Sequence, residues 1–144
     1  HKNVAWEDKK FLTKSGKIEF NFNKMNYNKE ESKFRLLTNH SKDTLFSQHV
    51  MDEKGPAKAY INSKEAKKLN IYEEENVSLI SDNGKITVQI IIDDCIRDNI
   101  VMMYVGWWRK HGNPNYITVS GISDIGGQVT YNETLVDIVK EKGE

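Results

Sequence analysis

Apolar and polar positions alternate most clearly after residue 33, where the chain first has the pattern of a packed domain. Phe34, Leu36 and Leu37 open a short apolar segment that predicts a β-strand. This strand leads directly into a loop that is rich in hydroxyl, amide and charged side chains and extends to Gln48. A short surface connection rarely needs so many hydrogen-bonding groups. The loop therefore favours binding of a ligand with many heteroatoms.

A strand–helix unit follows in the segment AYINSKEAKKLNI. The strand is expected to end near Ile61, where Asn62 or Ser63 is a good N-cap for a short helix. Glu65 suits the positive N-terminal end of the helix dipole, and the two lysines at 67 and 68 suit the other end. Asn70 is expected to end the helix in a left-handed conformation, which asparagine tolerates.

The clearest strand pair is a hairpin in NVSLISDNGKITVQIIID, where apolar residues alternate on both sides of the turn signal Asp-Asn-Gly at 82–84. Ile100 to Val105 predicts a further buried strand, and residues 116–119 and 134–139 are shorter β-type runs. The segment KIEFNF, which follows a Ser15–Gly16 turn signal, predicts one strand before the domain, with Ile18, Phe20 and Phe22 on one face. Together these elements predict a mainly β barrel with one or two short helices and with its function on the loops.

The composition limits the possible functions without choosing one. A chain of 144 residues with 38% apolar and 29% charged content suits one globular domain. Lys+Arg and Asp+Glu number 21 each, so no overall basic field attracts nucleic acid or a membrane. The longest apolar run, Ile100 to Trp108, is too short to span a bilayer. Because the chain begins at His1 rather than Met, we expect a fragment of a longer protein or a tagged chain, whose compartment is unknown.

The single cysteine excludes an internal disulfide and a cysteine-based metal cluster. Cys95 lies in the run IIIDDCI, which predicts a buried and inert thiol. The neighbouring Asp93 and Asp94 disfavour a thiolate. These two carboxylates and Asp98 could suggest paired-carboxylate catalysis, but charges in a strand-to-turn stretch are more typical of a solvated surface.

Several other residues have both a functional and a structural interpretation. His40 could bind a metal or transfer a proton, but an isolated loop histidine more often forms a hydrogen bond or is exposed. His49 and His111 lack partners at ligand spacing and are expected to be solvated loop residues. The pair at 107–108, Trp-Trp, favours packing or contact with another domain over stacking on a base. The adjacent run at 109–111, Arg-Lys-His, is equally consistent with phosphate binding and with a solvated charge cluster.

Five segments resemble, in the same order, the C-terminal domain of molybdopterin oxidoreductases of the dimethyl sulfoxide reductase and formate dehydrogenase group. FLTKSGKIEF resembles the lead-in of that domain, and LLTNHSKDTLFSQ resembles its first strand and cofactor loop. AYINSKEAKKLNIYEEENVSLISDNGKI is similar to its strand, helix and hairpin, and GNPNYITV with GGQVTYNETLVDI resembles its closing segment. The resemblance extends from Phe11 to about Val139. It implies a lead-in strand and linker at residues 1–33, from a preceding domain, and a dinucleotide-binding barrel at residues 34–144.

The resemblance implies a double-psi β-barrel that binds molybdopterin guanine dinucleotide, with molybdenum or tungsten held by the parent oxidoreductase. The catalytic residues and the metal ligand would lie on preceding domains and none on this chain, and an electron-transfer subunit is a further expected partner. Nucleic acid binding and membrane insertion are not expected. The cofactor contacts implied by position, among which His40 is a hydrogen-bonding residue rather than a catalyst, are Thr38, Asn39, His40, Thr44, Ser47, Gln48, Asn115 and Gln128.

The chain departs from the family pattern at three positions. Thr44 and Phe46 stand where some members carry Arg and His, which puts a charged contact from this loop in doubt. Glu74 stands where the family usually has Gly, which predicts a different turn geometry. Two alternative functions fit the same sequence. One is a separate small subunit of a complex such as formylmethanofuran dehydrogenase, and the other is a cofactor-free barrel for protein or nucleic-acid interaction.

Overall fold

The computed structural model of the chain describes residues 6–20, 33–42, 44–45, 55–124 and 126–141. Six strands in these ranges close into a barrel, which confirms the predicted mainly β fold. The strands are β1 (Phe34–Asn39), β2 (Ala57–Ile61), β3 (Asn76–Ser81), β4 (Gly84–Ile92), β5 (Ile100–Tyr104) and β6 (Leu135–Lys140). The helical elements of the same ranges are one α-helix, α1 (Ser63–Leu69), and 3₁₀ helices at Arg109–His111, Pro114–Tyr116 and Tyr131–Glu133.

The order of strands around the barrel is β1-β5-β2-β4-β3-β6. Two neighbouring pairs are parallel, β1 with β5 and β2 with β4, and the other pairs are antiparallel. Parallel neighbours cannot be joined by a tight hairpin, so the chain passes across an end of the barrel between them. These crossing connections are compatible with the double-psi form, which stays a prediction. The predicted hairpin is β3–β4, with its turn at residues 82–83.

Alternate side chains of the strands fill the barrel interior because successive residues of a strand point to opposite faces. This burial of apolar side chains is the main stabilising contribution to the fold. The fully buried apolar residues on the strands are Leu36, Ala57, Ala59, Ile61, Val77, Leu79, Val88, Ile90, Val101, Met103 and Val136.

The strand directions give the barrel two distinct ends. The carboxyl ends of β1, β3 and β5 and the beginnings of β2, β4 and β6 lie together at one end, here termed the loop end. The opposite end, termed the helix end, carries α1 and the turns that follow β4. Loops at the two ends therefore have different neighbours.

Asn62 fixes the start of α1 at the helix end. Its side-chain oxygen accepts a hydrogen bond from the Glu65 amide at 2.8 Å, so Asn62 rather than Ser63 is the N-cap. Its side-chain nitrogen donates to Asp98 at 2.8 Å and to the Ile96 carbonyl at 3.2 Å. The helix ends at residue 70, an asparagine with a φ of 54°, as predicted.

The aspartates after β4 are structural. Asp94 accepts a hydrogen bond from the Ser63 amide at 2.9 Å, and this bond is the main reason that the pKa of Asp94 is lowered. Asp98 holds the Asn62 side chain. Both residues are exposed, in agreement with the predicted surface location.

The prediction of a buried thiol is wrong. Cys95 is exposed because β4 ends at Ile92 and the chain then turns at residues 94–95. A hydrogen bond to the Asp93 carboxylate is the main cause that raises the pKa of the thiol. The prediction that the neighbouring aspartates disfavour a thiolate therefore agrees with the structure, whereas the prediction of burial does not.

One predicted β-type segment is not a strand, and another has no strand in the part that the structure describes. Residues 18–20 have no strand, and Ile18 and Phe20 are exposed, whereas Phe22 and all but the last residue of the expected linker at 25–33 lie outside the described residues. The Ser15–Gly16 turn is present, with the Gly16 amide donating to the Thr13 carbonyl at 3.1 Å. Residues 116–119 instead contain the end of a 3₁₀ helix, because proline occupies its first turn and a side chain caps it. The weaker run at 134–139 is confirmed as β6.

Glu74 has a φ of 61°, in the left-handed region that glycine adopts without steric cost. The amide of Glu74 donates to the Ile90 carbonyl at 2.8 Å, and its carbonyl accepts from the Gln89 side chain at 3.2 Å. The backbone of this residue is thus fixed against β4. The chain therefore places a glutamate side chain in a conformation that suits glycine.

Candidate functional site

The polar segment after β1 lies beside the segment that follows β5. In the parallel register Asn39 pairs with Tyr104, and the Val105 amide donates to the Asn39 carbonyl at 2.9 Å. Asn39 and His40 are exposed at this point, and Thr38 is half-buried. The loop end therefore presents three of the predicted contact residues where two chain segments leave the barrel.

Thr38 also contacts a residue that the sequence did not single out. Its amide lies 3.4 Å from the side-chain oxygen of Asn132, and the Leu36 amide donates to the Thr134 carbonyl at 2.9 Å. These bonds hold the 3₁₀ helix Tyr131–Glu133 against β1. Asn132 could have been identified from the sequence, because it belongs to the closing segment GGQVTYNETLVDI, from which Gln128 was predicted as a cofactor contact.

Thr44 shapes the loop itself. The Ser41 hydroxyl oxygen accepts a hydrogen bond from the Thr44 amide at 3.0 Å, and the two hydroxyl oxygens lie 2.7 Å apart. Such local hydroxyl-to-backbone bonds stabilise turns. Thr44 is half-buried, so the structure gives it a role in the loop besides the predicted contact. Ser47 and Gln48, with Phe46 and His49, lie outside the described residues.

Asn115 is exposed in a 3₁₀ helix that is held against the β3–β4 hairpin. The Asn113 side chain accepts a hydrogen bond from the Asn115 amide at 2.9 Å and thereby caps this helix. The Ser81 hydroxyl donates to the Ile117 carbonyl at 2.7 Å, and the side-chain amide of Asn83 donates to the Thr118 carbonyl at 2.8 Å. The loop end thus fixes the backbone of residue 115 and leaves its side chain at the surface.

Gln128 is exposed on a small two-stranded loop at residues 121–130. Its amide donates to the Ser123 hydroxyl oxygen at 3.0 Å, and its carbonyl accepts from the Ser123 amide at 2.8 Å. Gly126 and Gly127 at the tip have φ values of 84° and 64°, which favour glycine. This loop leads into the 3₁₀ helix beside β1, and therefore belongs to the loop end as well.

Those predicted contact residues that the structure describes all lie on segments that leave the loop end, but they do not form one compact cluster. Residues 38–40 are joined by hydrogen bonds to the segments that contain Val105 and Asn132, while Asn115 and Gln128 occupy separate loops. Amide and hydroxyl side chains can each donate and accept hydrogen bonds. A rim of such groups suits an extended, polyfunctional ligand better than a small one.

The segment after β5 contains a tryptophan and a histidine that are held in place. Trp107 is 7% exposed and belongs to the core, as predicted for packing, whereas Trp108 is 54% exposed. The Nδ1 atom of His111 lies 2.6 Å from the Gly55 carbonyl oxygen, and its ring packs edge-on against Trp107 at 6.3 Å. His111 is half-buried in this loop segment, and the two contacts orient its ring.

A cavity of about 640 Å³ opens at the loop end between these segments. Its walls are the beginning of β4, the residues before β2 and the segment that follows β5. Lys85, for which the sequence carries no motif signal, lines the same cavity as the basic run at 109–111. Within the residues that the structure describes, no group of three or more His, Cys, Asp or Glu could hold a metal ion. No described helix is long and apolar enough to cross a membrane.

Comparison with known proteins adds an independent result. A family described as "Molydopterin dinucleotide binding domain" matches residues 27–135. Among solved structures, acetylene hydratase from Pelobacter acetylenicus is similar, with a TM-score of 0.63 and 15% sequence identity. The match covers 76% of this chain and 18% of that protein, so the chain spans less than a fifth of its length. No curated protein matches. At this identity the structural likeness shows the fold, while the family match extends over most of the chain.

Proposed function

The chain belongs to the molybdopterin dinucleotide-binding domain family, and we propose that its loop end forms one wall of a site for molybdopterin guanine dinucleotide. The observation that carries the proposal is the common location of the contact residues. The carboxyl end of β1, the 3₁₀ helix with Asn115 and the loop with Gln128 all leave the same end of the barrel. The same residues are the contacts that the sequence resemblance implies.

The side chains present fit such a cofactor. A pyranopterin and a guanine each carry several N–H donors and several carbonyl or ring-nitrogen acceptors, and amides match both kinds of group. Thr38, Asn39, His40, Asn115 and Gln128 are half-buried or exposed at the loop end, and Ser47 and Gln48 complete the proposed set. Each hydrogen bond contributes about 0.5–1.5 kcal/mol net, so firm binding requires many contacts together.

In this proposal the barrel holds the cofactor and does not carry out the reaction. Molybdenum or tungsten on the pterin would supply redox chemistry in the parent oxidoreductase, and protein residues would bind and orient the cofactor. Residues 34–144 form the binding domain, and residues 1–33 come from a preceding domain. The other domains of the parent complete the site, and an electron-transfer subunit is its expected partner.

The test uses the full-length protein that contains this chain. We compare the wild type with the double variant Asn115→Ala/Gln128→Ala and measure the molybdopterin and the guanosine monophosphate released per polypeptide. We expect a several-fold loss of both, because two amides that contact the cofactor are removed. A matched control is Asn76→Ala/Gln89→Ala, which removes the same two side-chain types from paired positions of β3 and β4 away from the loop end.

Full cofactor content in the Asn115→Ala/Gln128→Ala variant would contradict the assignment of these residues. Equal loss in both double variants would indicate a general effect on folding, which the midpoint of urea unfolding measures separately. Release of the pterin without guanosine monophosphate would contradict the guanine form of the cofactor. The reading frame upstream of this chain distinguishes a domain of a long polypeptide from a separate small subunit.

A further inference from the structure

We infer that the basic cavity at the loop end binds a diphosphate group, and that this group is the diphosphate of the dinucleotide. The inference rests on the proposed function for the identity of the ligand. It assigns residues that the resemblance did not include, namely Lys85 and Arg109. The sequence had left phosphate binding and a solvated charge cluster equally open for the run at 109–111.

Three separate segments form the walls of the cavity. Residues 55–56 precede β2, residues 85–87 begin β4, and residues 109–112 follow β5. The cavity volume of about 640 Å³ is within the usual range of ligand pockets, which is about 300–1,000 Å³. Among the residues that the structure describes, the lining includes two lysines, an arginine and a histidine, and no described lining residue is an aspartate or a glutamate.

The wall after β5 is fixed to the rest of the barrel at the end of its 3₁₀ helix. The His111 ring is held by the Gly55 carbonyl at 2.6 Å and by Trp107. Gly112 has a φ of 99°, and a Cβ on it would lie 2.6 Å from the Thr87 carbonyl oxygen. Close approach of this backbone to β4 therefore requires glycine, and the cavity walls are built before any ligand binds.

Aromatic rings hold the two cationic side chains of this segment. The Arg109 guanidinium lies 5.4 Å from the centre of the Tyr116 ring, and the Lys110 ammonium lies 5.9 Å from the centre of the Trp108 ring. A cation on an aromatic face keeps its positive charge. Arginine in particular binds phosphate oxygens through two parallel N–H groups.

The opposite wall supplies a third cation. Lys85 is exposed as the second residue of β4, two residues beyond the hairpin turn. A Cβ on the adjacent Gly84 would lie 2.8 Å from the Tyr116 carbonyl oxygen, so the two walls approach closely at this point. Tyr116 directly follows Asn115, which places the cavity next to a proposed cofactor contact. A diphosphate in the cavity would thus continue a ligand held by the amides of the loop end.

The test uses the double variant Lys85→Gln/Arg109→Gln in the full-length protein. We expect its content of molybdopterin guanine dinucleotide to fall at least several-fold. The charge-matched control Lys64→Gln/Lys67→Gln changes two exposed lysines of α1 at the helix end, and it should keep the wild-type content. The variant Lys85→Arg/Arg109→Lys keeps both positive charges and should recover most of the cofactor if charge rather than shape is decisive.

A second measurement identifies the bound group directly. Cofactor-free full-length protein is titrated with inorganic pyrophosphate, GDP and ADP, and binding is followed by calorimetry at low and high salt. Pyrophosphate should bind in a salt-dependent manner, and the Lys85→Gln/Arg109→Gln variant should bind it at least tenfold more weakly. GDP binding tighter than ADP binding would support the guanine dinucleotide as the source, and equal affinity would contradict that source.

The two proposals fail in different ways. Normal cofactor content and pyrophosphate affinity in the Lys85→Gln/Arg109→Gln variant, with cofactor loss in Asn115→Ala/Gln128→Ala, would overturn the diphosphate assignment alone. The glycine-rich turn at 126–127 would then be the better diphosphate position, because backbone amides in such turns also bind phosphates. Full cofactor content in every variant would overturn both proposals.

Discussion

A Cβ on Gly84 would lie 2.8 Å from the carbonyl oxygen of Tyr116, so the β3–β4 hairpin and the loop that carries Asn115 touch through their backbones. No side chain of ordinary size fits between them. The hairpin therefore sets the position of a proposed contact residue, although the two are more than 30 residues apart in sequence.

Gly84→Ala is expected to move the loop that carries Asn115. Because the neighbouring atom belongs to the backbone, relief of the contact requires a shift of the chain and costs about 1–3 kcal/mol of unfolding free energy. Urea unfolding measures the stability, and cofactor content of the full-length protein measures the site. Gly126→Ala is the comparison, since a Cβ there meets no atom within 4 Å and only the left-handed φ of 84° opposes it. Equal stability of Gly84→Ala and wild type would contradict the close contact.

Asn62→Ala is expected to destabilise the barrel by about 1–3 kcal/mol, because the variant loses the helix cap and two further hydrogen bonds of a buried side chain. Ser63→Ala should cost less than about 1 kcal/mol, since Ser63 is not the N-cap. Urea or thermal unfolding measures the loss of stability in each variant and shows which residue caps α1. A larger effect for Ser63 than for Asn62 would place the cap one residue later than the structure has it.

Glu74→Gly is expected to raise the free energy of unfolding by about 1 kcal/mol, because glycine adopts the left-handed conformation without the steric cost of a Cβ. Glu74→Ala serves as the control, since it removes the carboxylate but keeps the Cβ. Thermal unfolding midpoints of the three proteins give the comparison. If glycine and alanine change the midpoint by the same amount, the charge and not the backbone conformation is responsible.

Cys95 should react with a disulfide reagent in the folded protein, because the thiol is exposed. The thiolate is the reactive form, and a raised pKa lowers its fraction at a given pH, so the rate should still be rising between about pH 7 and about pH 9. Asp93→Asn removes the main cause of the raised pKa and should speed the reaction near neutral pH. Asp94→Asn should have a smaller effect, since Asp94 acts only through its charge.

An unreactive thiol in the native protein would contradict the exposure of Cys95 and support the burial that the sequence predicted. An Asp93→Asn rate equal to that of the wild type would show that the hydrogen bond does not control the pKa of Cys95. The reagent rate in urea, where both proteins are unfolded, provides the reference for the intrinsic reactivity of the thiol.

Elements whose signals are local could be predicted from the amino-acid sequence. The β3–β4 hairpin follows from alternation around a tight turn, and Asn70 follows from the tolerance of asparagine for a left-handed φ. The family and the barrel class were also readable, because several ordered segments carry the resemblance. Predictions from local pattern failed where packing decides, as at Cys95 and at residues 116–119.

Tertiary structure alone decided which loops share an end of the barrel. Two parallel strand pairs bring the ends of β1 and β5 together and place the start of β4 beside the start of β2. Alternation along one strand contains no information about its neighbours, so Lys85 could not be joined to the site by pattern. Charge shows the same limit: the chain has equal numbers of acidic and basic residues, yet folding gathers Lys85 and Arg109 at one cavity. The sequence gives the identity of Lys85 and Arg109, but their common location depends on long-range pairing of the backbone strands.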